Sequence, residues 1–182
     1  MSTQISISGA SSSNLVYVQT TGSPNITGVT PTSLIGSGIG SVTIPQNTLQ
    51  VGSTYRFIMG GIADVASVAG QGVKFDIGLS TQSFPTLNYP SPASNANSFQ
   101  LECTFTVTAI GAAGFAKAMG TILFSSMNNN IGTSPSQSGI SFNIASTFDT
   151  TVNNTLFING YFSTALVTNK MVSGVLTLEK LK

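Results

Sequence analysis

Along Ser98–Ile110, Phe99, Leu101, Cys103, Phe105, Val107 and Ala109 alternate without a break with Gln100, Glu102, Thr104, Thr106 and Thr108. A period of two turns successive side chains to opposite sides of an extended chain, so one face is apolar and the other polar. The polar members are mostly β-branched threonine, which suits a pleated, half-buried surface. The pattern predicts an antiparallel strand packed on one side.

Shorter β-type runs surround it: Gln4–Ser8, Leu15–Gln19, Gly40–Ile44, Tyr55–Met59, Val73–Leu79, Met119–Ser125, Ile140–Ala145, Thr155–Phe162 and Val172–Leu178. Turn residues separate them, among them Pro24, Asn25, Gly28, Pro31, Pro45 and Gly52. Two longer polar stretches read as loops: Ser83–Ser98, with Pro85, Pro90 and Pro92, and Ser126–Ser138, with Asn128, Asn129 and Asn130. Val107–Phe124 is largely apolar, but Gly111 and Gly114 mark a turn inside it, so it reads as strand, turn and strand rather than a membrane helix. No amphipathic helix of three turns interrupts the series. About nine or ten strands with regular turn signals predict an all-β protein, an antiparallel β-sandwich or barrel. Residues 1–182 suit one domain, large enough to bury a core without staples. An alternative reading of residues 1–32 is a partly extended N-terminal arm.

Composition makes the surface unusual. Charged residues are 6% of the chain, against about 25% in ordinary domains, and mean hydropathy is +0.30. The polar surface must therefore be built from Ser, Thr, Asn and Gln. Arg56, Lys74, Lys117, Lys170, Lys180 and Lys182 are scattered and the net charge is +1, so no basic stripe offers itself to a phosphate backbone; direct nucleic-acid binding is not expected. The opening residues show no secretory signal. Asn25–Thr27 and Asn153–Thr155 match the glycosylation acceptor, read as chance matches in an Asn- and Thr-rich chain.

Ordinary catalytic chemistry lacks its parts. The chain has no histidine, which removes Ser-His and Cys-His activation and the usual zinc ligands. Asp64, Asp76, Glu102, Asp149 and Glu179 are far apart in sequence, and neither SxxK nor GxSxG occurs. Calcium could use loop carbonyls with Asp64 or Asp149, but solvated surface acids are the simpler reading. Gly36, Gly38 and Gly40 lead into no helix and no lysine of a phosphate-binding loop, and read as a turn before a strand. Cys103 sits on the apolar face of its strand as a small buried hydrophobe. No catalytic residue, cofactor or metal site is expected, and no enzyme.

One anomaly remains in Thr155–Phe162. Leu156, Ile158 and Phe162 share one face while Phe157 and Tyr161 share the other, so both faces are apolar. Either a loop of the same chain covers Phe157 and Tyr161, or they form a subunit interface, where aromatic residues are enriched. The scarcity of charge favours the interface.

Ser33–Leu49 with Val51–Arg56, then Phe99–Gly114 and Ser146–Leu156, resemble a pattern that recurs in structural and hypothetical proteins of large DNA viruses and some phages. The resemblance implies a jelly-roll module similar to trimeric fibre heads and tumour-necrosis-factor-like domains, and brings no functional residues with it. On this reading the chain is a virion structural protein, a capsid, vertex, fibre-head or decoration component. Its partners are other capsid or fibre subunits, it is a homo-oligomer with a trimer preferred, and it resides in the virion after assembly in the host cell. The alternative is a receptor- or glycan-binding β-sandwich whose ligand, on a host surface, is held by the loops Ser83–Ser98 and Ser126–Ser138.

Overall fold

A computed structural model describes residues 14–65, 71–80, 82–90, 97–126 and 137–182. These hold twelve strands: β1 (Leu15–Gln19), β2 (Thr32–Ser33), β3 (Gly38–Gly40), β4 (Thr43–Ile44), β5 (Thr54–Asp64), β6 (Gly72–Leu79), β7 (Gln82–Pro90), β8 (Asn97–Ala109), β9 (Gly114–Ser126), β10 (Gln137–Phe148), β11 (Asn154–Phe162) and β12 (Lys170–Lys180). The alternating run is β8, and no helix occurs among the described residues. The expected strand Gln4–Ser8 lies outside them.

Two antiparallel sheets form a β-sandwich. The larger runs β10-β9-β8-β5-β12-β1-β3; the smaller runs β2-β11-β6-β7, with β4 also paired to β11. The pairings nest from the ends of the chain inward: β1 with β12, β2 and β4 with β11, β5 with β8, and β6 with β7. That nesting is jelly-roll wrapping. The hairpin β9–β10 is added on the β8 edge, and β10 runs against β7 where the two sheets meet.

The core lies between the sheets. Phe57, Met59, Leu101, Cys103, Phe105, Ile122, Phe124, Leu176 and Leu178 face Phe75, Ile77, Leu79, Leu156, Ile158 and Phe162, all fully buried. Aromatic contacts cross the gap: Phe75 lies 5.3 Å from Phe99 and 6.2 Å from Phe124, and Phe84 lies 5.8 Å from Phe105. Burial, helped by the neighbouring Glu102 charge, pushes the Cys103 thiol up to about 12, so it stays a neutral, inert hydrophobe.

Three expectations change. Gln82–Pro90 is strand β7, not part of a ligand-holding loop. Among the described residues it is an edge strand paired only with β6, so proline, which cannot donate a ladder hydrogen bond, is tolerated there. Its buried Phe84 and Leu87 break the period of two because the register with β6 shifts between Asp76 and Gly78. The expected strand Gly40–Ile44 divides into β3 and β4, which belong to different sheets. Gly40 makes the corner with φ +92, a conformation that side chains resist. Finally, Gly36, Gly38 and Gly40 are required by approach to β1 and its continuation: a Cβ on any of them would lie 2.0–2.1 Å from a carbonyl oxygen of Thr21, Val18 or Val16.

A buried polar clasp fastens β1 to the bulge of β12. Gln19 Nε2 donates to Ser173 Oγ at 2.9 Å, Ser173 Oγ donates to the Leu34 carbonyl, and the Gly36 N–H donates to Gln19 Oε1 at 2.8 Å. Tyr17 is buried on the same strand, and Ile26 bridges Met171 of β12.

Candidate functional surfaces

Because the strands alternate, each sheet has an outer face that the core does not use. On the larger sheet the register places Ile58 beside Glu102 and Thr121, Gly60 beside Gln100 and Leu123, and Ile62 beside Ser98 and Ser125. From β12, Val175 falls opposite Gly60 and Val172 opposite Ile62. Ile62, Met119, Leu123 and Val175 are 40%, 61%, 42% and 55% exposed. Gly60 has no side chain, so Ile58, Gln100, Leu123 and Val175 rim a depression of about 430 Å³. A neighbouring depression of about 500 Å³ continues along β8 to β10, lined by Glu102, Thr104, Met119, Thr121, Ser141 and Asn143. Of the charges on this face, Arg56 and Glu179 neutralise each other at 2.8 Å, and Glu102, Lys117 and, in register beyond Ile62 and Val172, Asp64 and Lys170 remain. Such a partly exposed ion pair contributes little to stability.

Sequence reasoning missed this surface, although its signal was present. Ile122, Leu123 and Phe124 are consecutive in β9, and Phe57, Ile58 and Met59 are consecutive in β5. Apolar residues on both parities mark a strand with two apolar faces, the same signature that drew attention to Thr155–Phe162.

The outer face of the smaller sheet is different in chemistry. Phe157 and Tyr161 project from β11 with Asn159 between them, and both aromatic residues are half-buried. Phe157 is registered with Gly78, Asn159 with Asp76, and Tyr161 with Lys74. The Phe157 ring lies over Gly78, where a Cβ would come within 2.5 Å of it. Tyr161 Oη donates to Asp76 Oδ1 at 3.3 Å, and Thr86 Oγ1 donates to the same oxygen at 2.7 Å. Lys74 Nζ stands 5.6 Å from the centre of the Tyr161 ring, a cation–π contact. Partial burial, then the Asp76 charge, push the Tyr161 phenol above its ordinary range, which keeps it a neutral donor. Phe157 and Tyr161 therefore occupy one face, as their parity implied, but with polar partners that periodicity could not reveal.

The other singled-out acids are placed separately. Asp149 accepts from the Thr151 N–H at 2.8 Å and from its hydroxyl at 2.6 Å, which holds the carboxyl below its usual range. Among the described residues no three of His, Cys, Asp and Glu come together as metal ligands. Nor is any helix among them long and apolar enough to cross a membrane.

No family model matches the sequence, and no curated protein does. Among solved structures, the chain is similar to the CBM2 module of the evolved Dit of Lactobacillus casei BL23 phage J-1, with 11% identity and a TM-score of 0.24 over 88% of this chain and 95% of that one. A likeness of that size leaves function to be argued from the chain's own surfaces.

Proposed function

We propose that this jelly-roll is a virion structural protein, a capsid, vertex, fibre-head or decoration component that works through protein–protein contacts. The observation that carries the reading is the outer face of the larger sheet, where Ile62, Met119, Leu123 and Val175 stand exposed around shallow depressions. Exposed apolar residues gathered on one face mark an interaction surface. The partner we assign is other copies of the chain, in a homotrimer; the number three comes from the resemblance to trimeric fibre heads. Assembly is placed here rather than at Phe157 and Tyr161 because the exposed aliphatic residues are gathered on this face, whereas those two rings are half-buried among Lys74, Asp76 and Asn159 of their own chain.

Sedimentation velocity over a concentration series tests the assembly. The wild type should form trimers, and Leu123→Glu/Val175→Glu should remain a folded monomer; a monomeric wild type at high concentration would remove the argument. Recovery of the chain from washed, purified virions tests the location. A second reading, attachment to a host-surface receptor or glycan, is favoured by the aromatic and polar face of the smaller sheet. In a trimer joined through the larger sheet, that face would point outward.

A further inference from the structure

We propose that the outer face of the smaller sheet is a platform for a neutral oligosaccharide, with Phe157 as its stacking surface and Asp76, Asn159 and Lys74 as its hydrogen-bonding groups. The inference deepens the attachment reading and rests on it. Seated on Gly78, the Phe157 ring is supported from beneath by backbone and is only partly buried, so it can receive the C–H face of a pyranose. Tyr161, four residues along β11, stands about 13 Å away at strand spacing, a length that suits more than one sugar unit.

The polar groups between the two rings define the ligand class. Both donors to Asp76 converge on Oδ1, and among the described residues Oδ2 accepts no hydrogen bond. Among those residues, too, the Asn159 amide has no hydrogen-bond partner and Lys74 no carboxylate partner. An anion would meet the Asp76 carboxylate, and a cation would meet the Lys74 ammonium. A sugar hydroxyl both donates and accepts, so a neutral polyol satisfies the carboxylate, the ammonium and the amide together. The aliphatic residues exposed on the larger sheet have no counterpart here: the outward positions of β11 are Thr155, Phe157, Asn159 and Tyr161, and those of β6 are Lys74, Asp76 and Gly78. That contrast argues against a second copy of the chain as occupant.

The test uses the full chain and an array of neutral oligosaccharides built from glucose, galactose, mannose and N-acetylglucosamine. The best binder is then titrated by calorimetry and by amide-resonance mapping. We expect saturable binding, with resonances of residues 74–78 and 157–161 shifting. Phe157→Ala and Asp76→Asn should each weaken binding about tenfold or more, the scale of one lost stacking or hydrogen-bonding partner. Phe157→Tyr should retain it, and this variant, Asp76→Asn and the shift map keep the test decisive if Phe157→Ala fails to fold. Binding that maps elsewhere and ignores these variants would overturn the platform while leaving the attachment reading standing. No binding to any neutral oligosaccharide would overturn the platform, and an equally negative screen of intact host cells would remove the attachment reading with it. Loss of the wild-type oligomer in Phe157→Ala would overturn it as well, by assigning this face to subunit contact.

Discussion

Replacing Phe105 by Ala tests whether the two sheets close on a single core. The ring is fully buried in β8, stacks on Tyr55 of β5 at 5.2 Å with the planes 11° apart, and meets Phe84 of the opposite sheet at 5.8 Å. Its other cross-strand neighbour is Ala118, too small to fill the space a missing ring would leave. Truncating a buried Phe costs about 3–5 kcal/mol, and loss of two aromatic contacts with little chance of collapse argues for the upper half of that range. A domain has about 5–15 kcal/mol in all, so the variant should fold but melt roughly 8–20 °C lower. Urea titration should show a lower midpoint with an unchanged slope, and Phe105→Leu should lose less than half as much. A loss under about 1 kcal/mol at unchanged slope would mean that water reaches the ring, refuting a closed core at this position.

Two further expectations concern other buried groups. Ser173→Ala removes the hydroxyl that joins Gln19 to the Leu34 carbonyl, and should destabilise by about 1–3 kcal/mol by leaving those partners unsatisfied; a neutral urea midpoint would show the clasp to be dispensable. The Cys103 thiol, held up at about 12 against an ordinary value of 9.0, keeps its proton in the folded chain while the unfolded chain loses it. Its contribution is therefore complete below pH 9 and lost as the pH rises toward 12; Tyr17 and Tyr55, raised by burial, act in the same direction. Cys103→Ala should flatten the alkaline fall in melting temperature relative to wild type, and a parallel fall in both would contradict the assignment.

The sandwich was legible wherever one face of a strand is buried and the other is wet. Ser98–Ile110 became β8 within one residue at each end, and the turn at Gly111 separates β8 from β9 as its glycines implied. Legibility failed where a strand meets its surroundings differently. An edge strand tolerates the prolines that made Gln82–Pro90 look like a loop, and a bulge disturbs its periodicity. A corner glycine hides the change of sheet inside Gly40–Ile44, because composition carries no record of which sheet a residue joins. The outer faces were half legible: parity put Phe157 and Tyr161 together, but Lys74, Asp76 and Thr86 join them only through pairing between distant strands. The apolar face of β5 and β9 was masked by the stronger core pattern on the opposite parity.

Met119 reports most directly on the central claim that copies of the chain meet through the outer face of the larger sheet. Its side chain is 61% exposed in the single chain, which makes the thioether open to hydroxyl-radical oxidation. Footprinting the wild type across its assembly range, beside Leu123→Glu/Val175→Glu at the same concentrations, reads that exposure in solution. The account predicts that Met119 becomes protected as the wild type assembles and remains reactive in the variant, while Tyr161 is labelled equally in both. Met119 oxidised equally at every concentration, or protection that appears at Tyr161 instead, would contradict it.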